Sequence, residues 1–250
     1  MKQVSAIVLA AGKGTRMKSD KPKVLLDLCG HSILWWTLNL LKKIDFGNIK
    51  VVVLYKKALL KKEIKKFGIK VDIIDQKESL GTAHAVKVAL QNISRDKKHI
   101  LVLFGDDSGL YRQNTIKNFL KDHIKKGKKM SILAMETDVA RPIGGLLRNK
   151  YGNVVGIATQ EQLIESGKRK IEIVCGAFCF NHKWLEKKLP LIPKTKSSGE
   201  YPLPGLIKLA ADENNYPNVY HLRDSTEWNS LNTPREYRET IFKKKSTLVK

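Results

Sequence analysis

Along the first 135 residues, short apolar runs alternate with amphipathic stretches. The runs at 6–11, 50–54, 71–74, 99–104 and 130–135 are rich in Val, Ile and Leu, the pattern of strands buried on both faces. Between them, 33–44, 58–67, 82–93 and 115–126 carry apolar residues at helical spacing. This alternation predicts a mostly parallel, doubly wound sheet with right-handed helical crossovers.

After about residue 135 the rhythm changes. Segments 143–147, 153–158 and 171–180 read as strands without long helices between them. A helix near 182–188, a Pro/Ser/Lys loop over 189–198, a helix near 205–213 and a strand near 218–222 follow. The last helix starts at Pro234, a residue suited to a first helical turn. The second half therefore reads as an antiparallel extension on a doubly wound first half, and no internal repeat interrupts it.

Composition narrows the class. With 42% hydrophobic residues in 250, the chain can bury a substantial core. No apolar stretch approaches the roughly 20 residues of a spanning helix, so no membrane partner is expected. Met1-Lys2 and the first apolar run resemble a short signal core. They lead into Gly12-Lys13-Gly14 with no cleavage region, and read better as a buried first strand. Cys29, Cys175 and Cys179 are odd in number and lack ligand spacing, which predicts a reduced, cytoplasmic protein.

Charge is the remaining feature: 47 Lys+Arg against 24 Asp+Glu give +23. Most of the excess is lysine in doublets, such as Lys42-Lys43, Lys65-Lys66, Lys125-Lys126 and Lys187-Lys188, on the polar faces of predicted helices. A nucleic-acid binder would add an aromatic-interleaved basic strip or an Arg-rich arm, and neither occurs. The expectation is a solvated lysine surface and no nucleic-acid partner. Its field can still draw anionic substrates into a cleft.

The strongest local signal lies just past the first strand, where open α/β sheets bind ligands. It reads Leu9-Ala10-Ala11-Gly12-Lys13-Gly14-Thr15-Arg16-Met17, then Lys21-Pro22-Lys23-Val24-Leu25. Gly12 and Gly14 let the backbone turn and approach a ligand, and successive N–H groups can form an anion-binding concavity. Lys13, Arg16 and Lys23 add three cations. Two familiar phosphate loops do not fit, since GxxxxGK[ST] needs glycine at Ile7 and GxGxxG needs it at Met17. Glycine and charge alone fit a solvated turn as well as a triphosphate cradle.

The longer pattern, 9–25, resembles the signature of the sugar-phosphate nucleotidyltransferase family of the NTP transferase superfamily. It is most similar to the uridylyltransferase domains that act on N-acetylglucosamine-1-phosphate. The likeness continues in order at Gln76 with Leu80-Gly81-Thr82-Ala83-His84-Ala85, at Phe104-Gly105-Asp106, at Gly199-Glu200-Tyr201 and at Leu231-Asn232-Thr233. It implies a Rossmann-like three-layer α/β/α fold with a mostly parallel mixed sheet and a small antiparallel extension. It also implies one domain over 1–250, with a nucleotide-binding half at 1–136 and an acceptor-binding half at 137–242.

By this resemblance, Leu9, Ala10, Ala11, Gly12, Lys13 and Gly14 hold the nucleotide. Arg16 contacts the leaving phosphates, and Lys23 neutralises charge at the α-phosphate. Gln76, Gly81 and Thr82 read a uracil base, although Thr82 also suits a helix cap. His84 reads as packing or polar surface. Gly105 belongs to the nucleotide site, Asp106 and Asn232 hold Mg²⁺, and Gly145 and Glu200 approach the acceptor. Asn232 also suits a turn before the Thr-Pro helix start. Asp107 has no assignable role.

The acceptor side departs from the family. Asp107-Ser108-Gly109-Leu110-Tyr111-Arg112 replaces an apolar-Pro-Leu stretch, and Thr159 stands where the family has a glutamate. Val174 stands where the family binds sugar through an asparagine, and Pro202 and Pro204 interrupt the usual helix entry. The leading expectation is Mg²⁺-dependent transfer of UMP from UTP to a sugar-1-phosphate, releasing pyrophosphate. The alternatives are cytidylyl or other nucleotidyl transfer to another phosphorylated acceptor, or a non-catalytic nucleotide-binding module. These residues contain no hexapeptide repeats of a β-helix, so acetyl transfer is not expected of them.

Overall fold

The computed structural model of the chain describes residues 2–14, 17, 19–138, 144–167 and 169–248. In chain order it forms β1 (Val4–Ala10), β2 (Asp27–Leu28), β3 (His31–Ser32), α1 (Ile33–Lys43), β4 (Ile49–Val53), α2 (Lys57–Lys66), β5 (Asp72–Asp75) and α3 (Thr82–Leu90). Next come β6 (His99–Phe104), α4 (Gln113–Lys125), β7 (Met130–Asp138), β8 (Gly145–Arg148), β9 (Val154–Ala158) and α5 (Gln160–Glu165). The chain closes with β10 (Lys170–Asn181), α6 (His182–Lys188), α7 (Leu206–Asp212), β11 (Asn218–His221) and α8 (Pro234–Leu248).

One seven-stranded sheet runs in the order β11-β7-β10-β6-β1-β4-β5. All its pairings are parallel except those of β10, which is antiparallel to both β6 and β7. Every residue of β1 is buried, and its side chains divide between two layers. Val4, Ala6, Val8 and Ala10 pack in one core with α1, α2 and α4 residues such as Leu38, Leu60 and Phe119. Ile7 and Leu9 pack in the other with α3, α6 and α7 residues such as Val86, Leu185 and Ile207. The period-two alternation of a strand thus feeds helices on both faces, giving the three-layer α/β/α fold.

The second half differs from expectation. Segment 171–180 belongs to β10 and is inserted at the centre of the main sheet, not set aside in an extension. The β8–β9 hairpin forms a separate antiparallel sheet, as does the short β2–β3 pair in the first half. The central position explains why Cys175, Ala177, Phe178, Cys179 and Phe180 are all fully buried. The strand expected at 143–147 begins at Gly145, and Ile143 lies outside the described residues. Helix α5 was not apparent in the periodicity. A reciprocal cap between Thr159 and Gln162 starts it.

All three cysteines are free, and burial pushes the Cys175 and Cys179 thiols up. Among the described residues no helix is long and apolar enough to cross a membrane. Two lysines, one in the Lys187-Lys188 doublet and one in the Lys243-Lys244-Lys245 run, are not solvated. Lys188 is buried and pairs with Glu213, and Lys244 is buried over the Trp36 ring at 3.6 Å.

Candidate active site

A cleft of about 510 Å³ opens at the carboxyl ends of β1, β4, β5 and β6. Leu9, Ala10, Ala11, Gly12, Lys13, Gly14, Lys23, Gln76, Gly81, Thr82, Asp106, Glu200 and Asn232 line it. Segments far apart in sequence therefore meet where the parallel strands end, the position at which a doubly wound sheet leaves a crevice.

Gly14 is required by shape. Its φ is +62°, and a Cβ there would sit 2.9 Å from Lys23 Cβ. That close packing brings Lys23, which opens a 3-10 turn after Pro22, against the glycine loop. Gly12 has no neighbour within 4 Å of a built Cβ and is exposed to the cleft. Arg16 lies outside the described residues.

Lys23 is buried, at 7% exposure, and carries the polar centre of the cleft. Its Nζ donates to Asp106 Oδ2 at 2.6 Å and to Asn232 Oδ1 at 3.2 Å. Asp106 is placed by Gly105, whose N–H donates to Leu9 O at 2.9 Å and whose Cβ position is closed by Leu9 O and Val8. Gly105 thus joins β6 to β1 behind the cleft and is not among its lining residues. Asn232 is placed by Glu236, which accepts the backbone N–H of both Asn232 and Thr233 at 2.8 Å. Thr233 returns the bond through its hydroxyl, at 3.3 Å from the Glu236 N–H. Thr233, not Asn232, therefore caps α8, and Asn232 lines the cleft. Burial opposes ionisation of Glu236, but bonds from Ser230, Asn232 and Thr233 outweigh it and hold this carboxyl below its ordinary range.

Asp107 turns away from the cleft and packs under Gly176 of β10, where a Cβ would come within 3.2 Å of it. Its Oδ1 is buried without a hydrogen-bond partner among the described residues. Burial, then the Asp106 carboxylate, push its pKa well above the ordinary range. Two adjacent carboxyls thus have separate environments, and only Asp106 faces the polar centre.

On the far wall, Gly81 has φ +92° and no room for a Cβ, which would meet Tyr201 O at 2.8 Å. Tyr201 N–H donates to Leu80 O at 2.8 Å, and Ala83 N–H donates to Tyr201 O at 2.9 Å. The Gly199-Glu200-Tyr201 segment is thereby docked on the Gly81 turn, bringing Glu200 to the cleft. The Thr82 hydroxyl accepts from Leu203 N–H at 2.8 Å, and Gly81 occupies the cap position of α3. Thr82 therefore ties two segments together instead of capping the helix.

Gln76 is 2% exposed and holds two inward contacts, to Gly81 O at 3.4 Å and to His84 Nδ1 at 2.9 Å. His84 does not line the cleft; it packs behind Gln76, and its ring is bonded to that amide. Its position in the first turn of α3, facing back to the end of β5, was the available signal.

A family model for "Nucleotidyl transferase" matches residues 5–244. The chain belongs to this family of enzymes. The bifunctional protein GlmU of Clostridioides difficile (strain 630) is 36% identical over 208 residues, 83% of this chain and 44% of that protein. GlmU of Francisella philomiragia subsp. philomiragia is 31% identical over 229 residues, 92% of this chain and 49% of that protein. The chain thus spans about half the length of these relatives. Among solved structures, HddC from Yersinia pseudotuberculosis complexed with GMP-PN superposes with a TM-score of 0.73 at 21% identity. It covers 96% of this chain and 98% of that one, a likeness of fold.

The residues expected near an acceptor do not all meet at this cleft. Gly145 does not line the cleft and instead packs under β10, where a Cβ would sit 3.1 Å from Glu172 O. Glu172 is engaged by Arg148, whose Nη2 lies 2.7 Å from Oε1, and by His221 Nε2 at 2.6 Å. Val174, at the start of a bulge in β10, packs with the apolar core that includes Phe104 and Tyr201.

Proposed function

We propose that this chain transfers a nucleotidyl group, UMP from UTP, to a sugar-1-phosphate and releases pyrophosphate. The observation that carries the reading is the convergence of Lys23, Asp106 and Asn232 between the glycine loop and the Gln76–Gly81 wall. The acceptor phosphate oxygen attacks the α-phosphorus. The bond from that phosphorus to the bridging oxygen breaks, and pyrophosphate leaves with the electron pair. Both reactants are anionic, so the protein's task is to suppress repulsion and hold an in-line geometry.

The loop from Leu9 to Gly14 would cradle the triphosphate with its N–H groups, and Lys13 would add charge at the rim. Lys23 would neutralise the α-phosphate, a role suited to a compact ammonium on a buried stem. Arg16 is assigned to the leaving phosphates on motif position alone. Gln76, Gly81 and Thr82 would hold the base, and Glu200 would face the acceptor sugar.

The donors suit Mg²⁺. Asp106 and Asn232 present hard oxygens that already converge on one cation, the Lys23 ammonium. Among the described residues no cluster of three His, Cys, Asp or Glu forms a complete metal site. An ion held by these two oxygens would be completed by substrate phosphates and water. When bound there, Mg²⁺ supplies charge neutralisation and polarisation of the phosphoryl group.

Val174 and the engaged Glu172 favour an acceptor whose ring is not held through an acetamido group. A site without the bonding partner loses discrimination for that group. The test is pyrophosphate release with each nucleoside triphosphate and Mg²⁺ against a panel of sugar-1-phosphates and other phosphorylated acceptors. Release with UTP and a sugar-1-phosphate lacking an acetamido group is expected. No release from any pair would leave the non-catalytic nucleotide-binding module as the better reading.

A further inference from the structure

Gln76 follows β5, and His84 lies in the first turn of α3, with the Gly81 turn between them. Gln76 Nε2 lies 3.4 Å from Gly81 O and 2.9 Å from His84 Nδ1. A peptide carbonyl only accepts, so the end of the amide beside Gly81 must be the NH₂ group. The reverse orientation would press two carbonyl oxygens together. Both NH₂ hydrogens are then used inside the protein, one on Gly81 and one on the His84 ring. His84 must offer Nδ1 as a lone pair and carry its proton on Nε2. The amide oxygen remains, and no described residue donates to it on the wall of the cleft that Gln76 lines.

We propose that His84 is a positioning residue that locks the Gln76 amide with Oε1 toward the nucleotide base, so that the cleft selects a pyrimidine offering N–H over one offering a lone pair. Uracil presents an N3–H to such an acceptor. Cytosine presents its unprotonated N3, and two lone pairs would face each other. The Gly81 contact is long and weak as a lock, while the His84 contact has the length of a normal hydrogen bond. The inference rests on the nucleotidyl-transfer reading for the location of the base, and on the geometry above for the direction of selection.

Two substitutions separate positioning from packing. His84→Asn keeps an acceptor, because Oδ1 branches from Cγ where Nδ1 does. His84→Leu keeps bulk and removes the acceptor. The measurement is the ratio of UTP to CTP binding by the full chain, read by titration calorimetry with Mg²⁺ and repeated as a kcat/KM ratio. The wild type and His84→Asn are expected to prefer UTP, and the preference should fall about 10-fold in His84→Leu, as loss of a polar contact to the base predicts. A lower affinity for both nucleotides with an unchanged ratio would overturn the positioning role. Absence of nucleotide binding by the wild type would overturn the functional reading itself. A readout that needs no substitution is ¹⁵N NMR of the His84 ring in the wild type. An unprotonated Nδ1 with a protonated Nε2 is expected, and the opposite tautomer would sink the inference.

Discussion

Acid should weaken this fold through His123. His123 of α4 is fully buried, with Nδ1 2.8 Å from Ser131 Oγ and Nε2 without a hydrogen-bond partner among the described residues. The His99 ring stands edge-on to it at 5.1 Å. Burial, and secondarily His99, lower the His123 pKa from 6.5 to about 4, with Asp122 opposing. The sign follows directly: between those values the unfolded chain binds a proton that the folded chain refuses. Stability is therefore complete above 6.5 and declines as pH falls toward 4. At about 1.4 kcal/mol per pH unit, the full effect is about 3 kcal/mol, of which about 2 kcal/mol is lost between about pH 7.5 and about pH 5. His99, lowered by burial and then by Lys98, acts in the same sense. Urea denaturation across that range measures the slope, and His123→Gln removes the group that titrates. The variant should be less stable at neutral pH yet less pH-dependent. An equal slope in wild type and variant would refute the assignment.

Other expectations bear on the cleft and the core. Lys23→Ala and Asp106→Asn should each lower turnover about 10²-fold or more per folded molecule, as loss of a charge contact in the transition state does, read by pyrophosphate release. Near-wild-type turnover in either would mean that the reacting centre lies elsewhere. Gly81→Ala places a methyl 2.8 Å from Tyr201 O in a left-handed conformation, so it should weaken nucleotide binding about 10-fold by calorimetry. Phe178 is fully buried in β10 between Phe104 and Phe180, at 5.9 and 6.0 Å. Phe178→Ala should cost about 3–5 kcal/mol in chemical denaturation, and a loss near zero would contradict the central placement of β10.

The fold was legible where burial is two-sided. Strands β1, β4, β6 and β7 announce themselves as continuous apolar runs, because both faces meet helices. The place of β10 was not legible, since a run such as Val174 to Phe180 states burial but not its pairing partners. The glycine loop, Lys23, Asp106 and Asn232 could be picked from motif order, and the structure brings them to one cleft; Arg16 lies outside the described residues. Gly145, expected to approach the acceptor, instead packs under β10, through a long-range pairing that motif order does not reveal. Lysines mislead for a related reason. Lys188 and Lys244 stand in lysine runs beside the exposed Lys187 and Lys245, and tertiary contacts with Glu213 and Trp36 bury them. The partner of His84 is not legible in the sequence, because it lies across a turn, where helical periodicity carries no information.

On the proposed function, this cleft joins the α-phosphate of a nucleotide to a phosphorylated acceptor. The most direct test follows two labels. UTP carrying label on the α-phosphate, and separately on the γ-phosphate, is incubated with Mg²⁺, a sugar-1-phosphate and the wild-type or Lys23→Ala chain. The α-label should appear in a nucleotide sugar and the γ-label in pyrophosphate, with both transfers lost together in the variant. A γ-label found on the acceptor, or an α-label that stays in free nucleotide, would contradict the account.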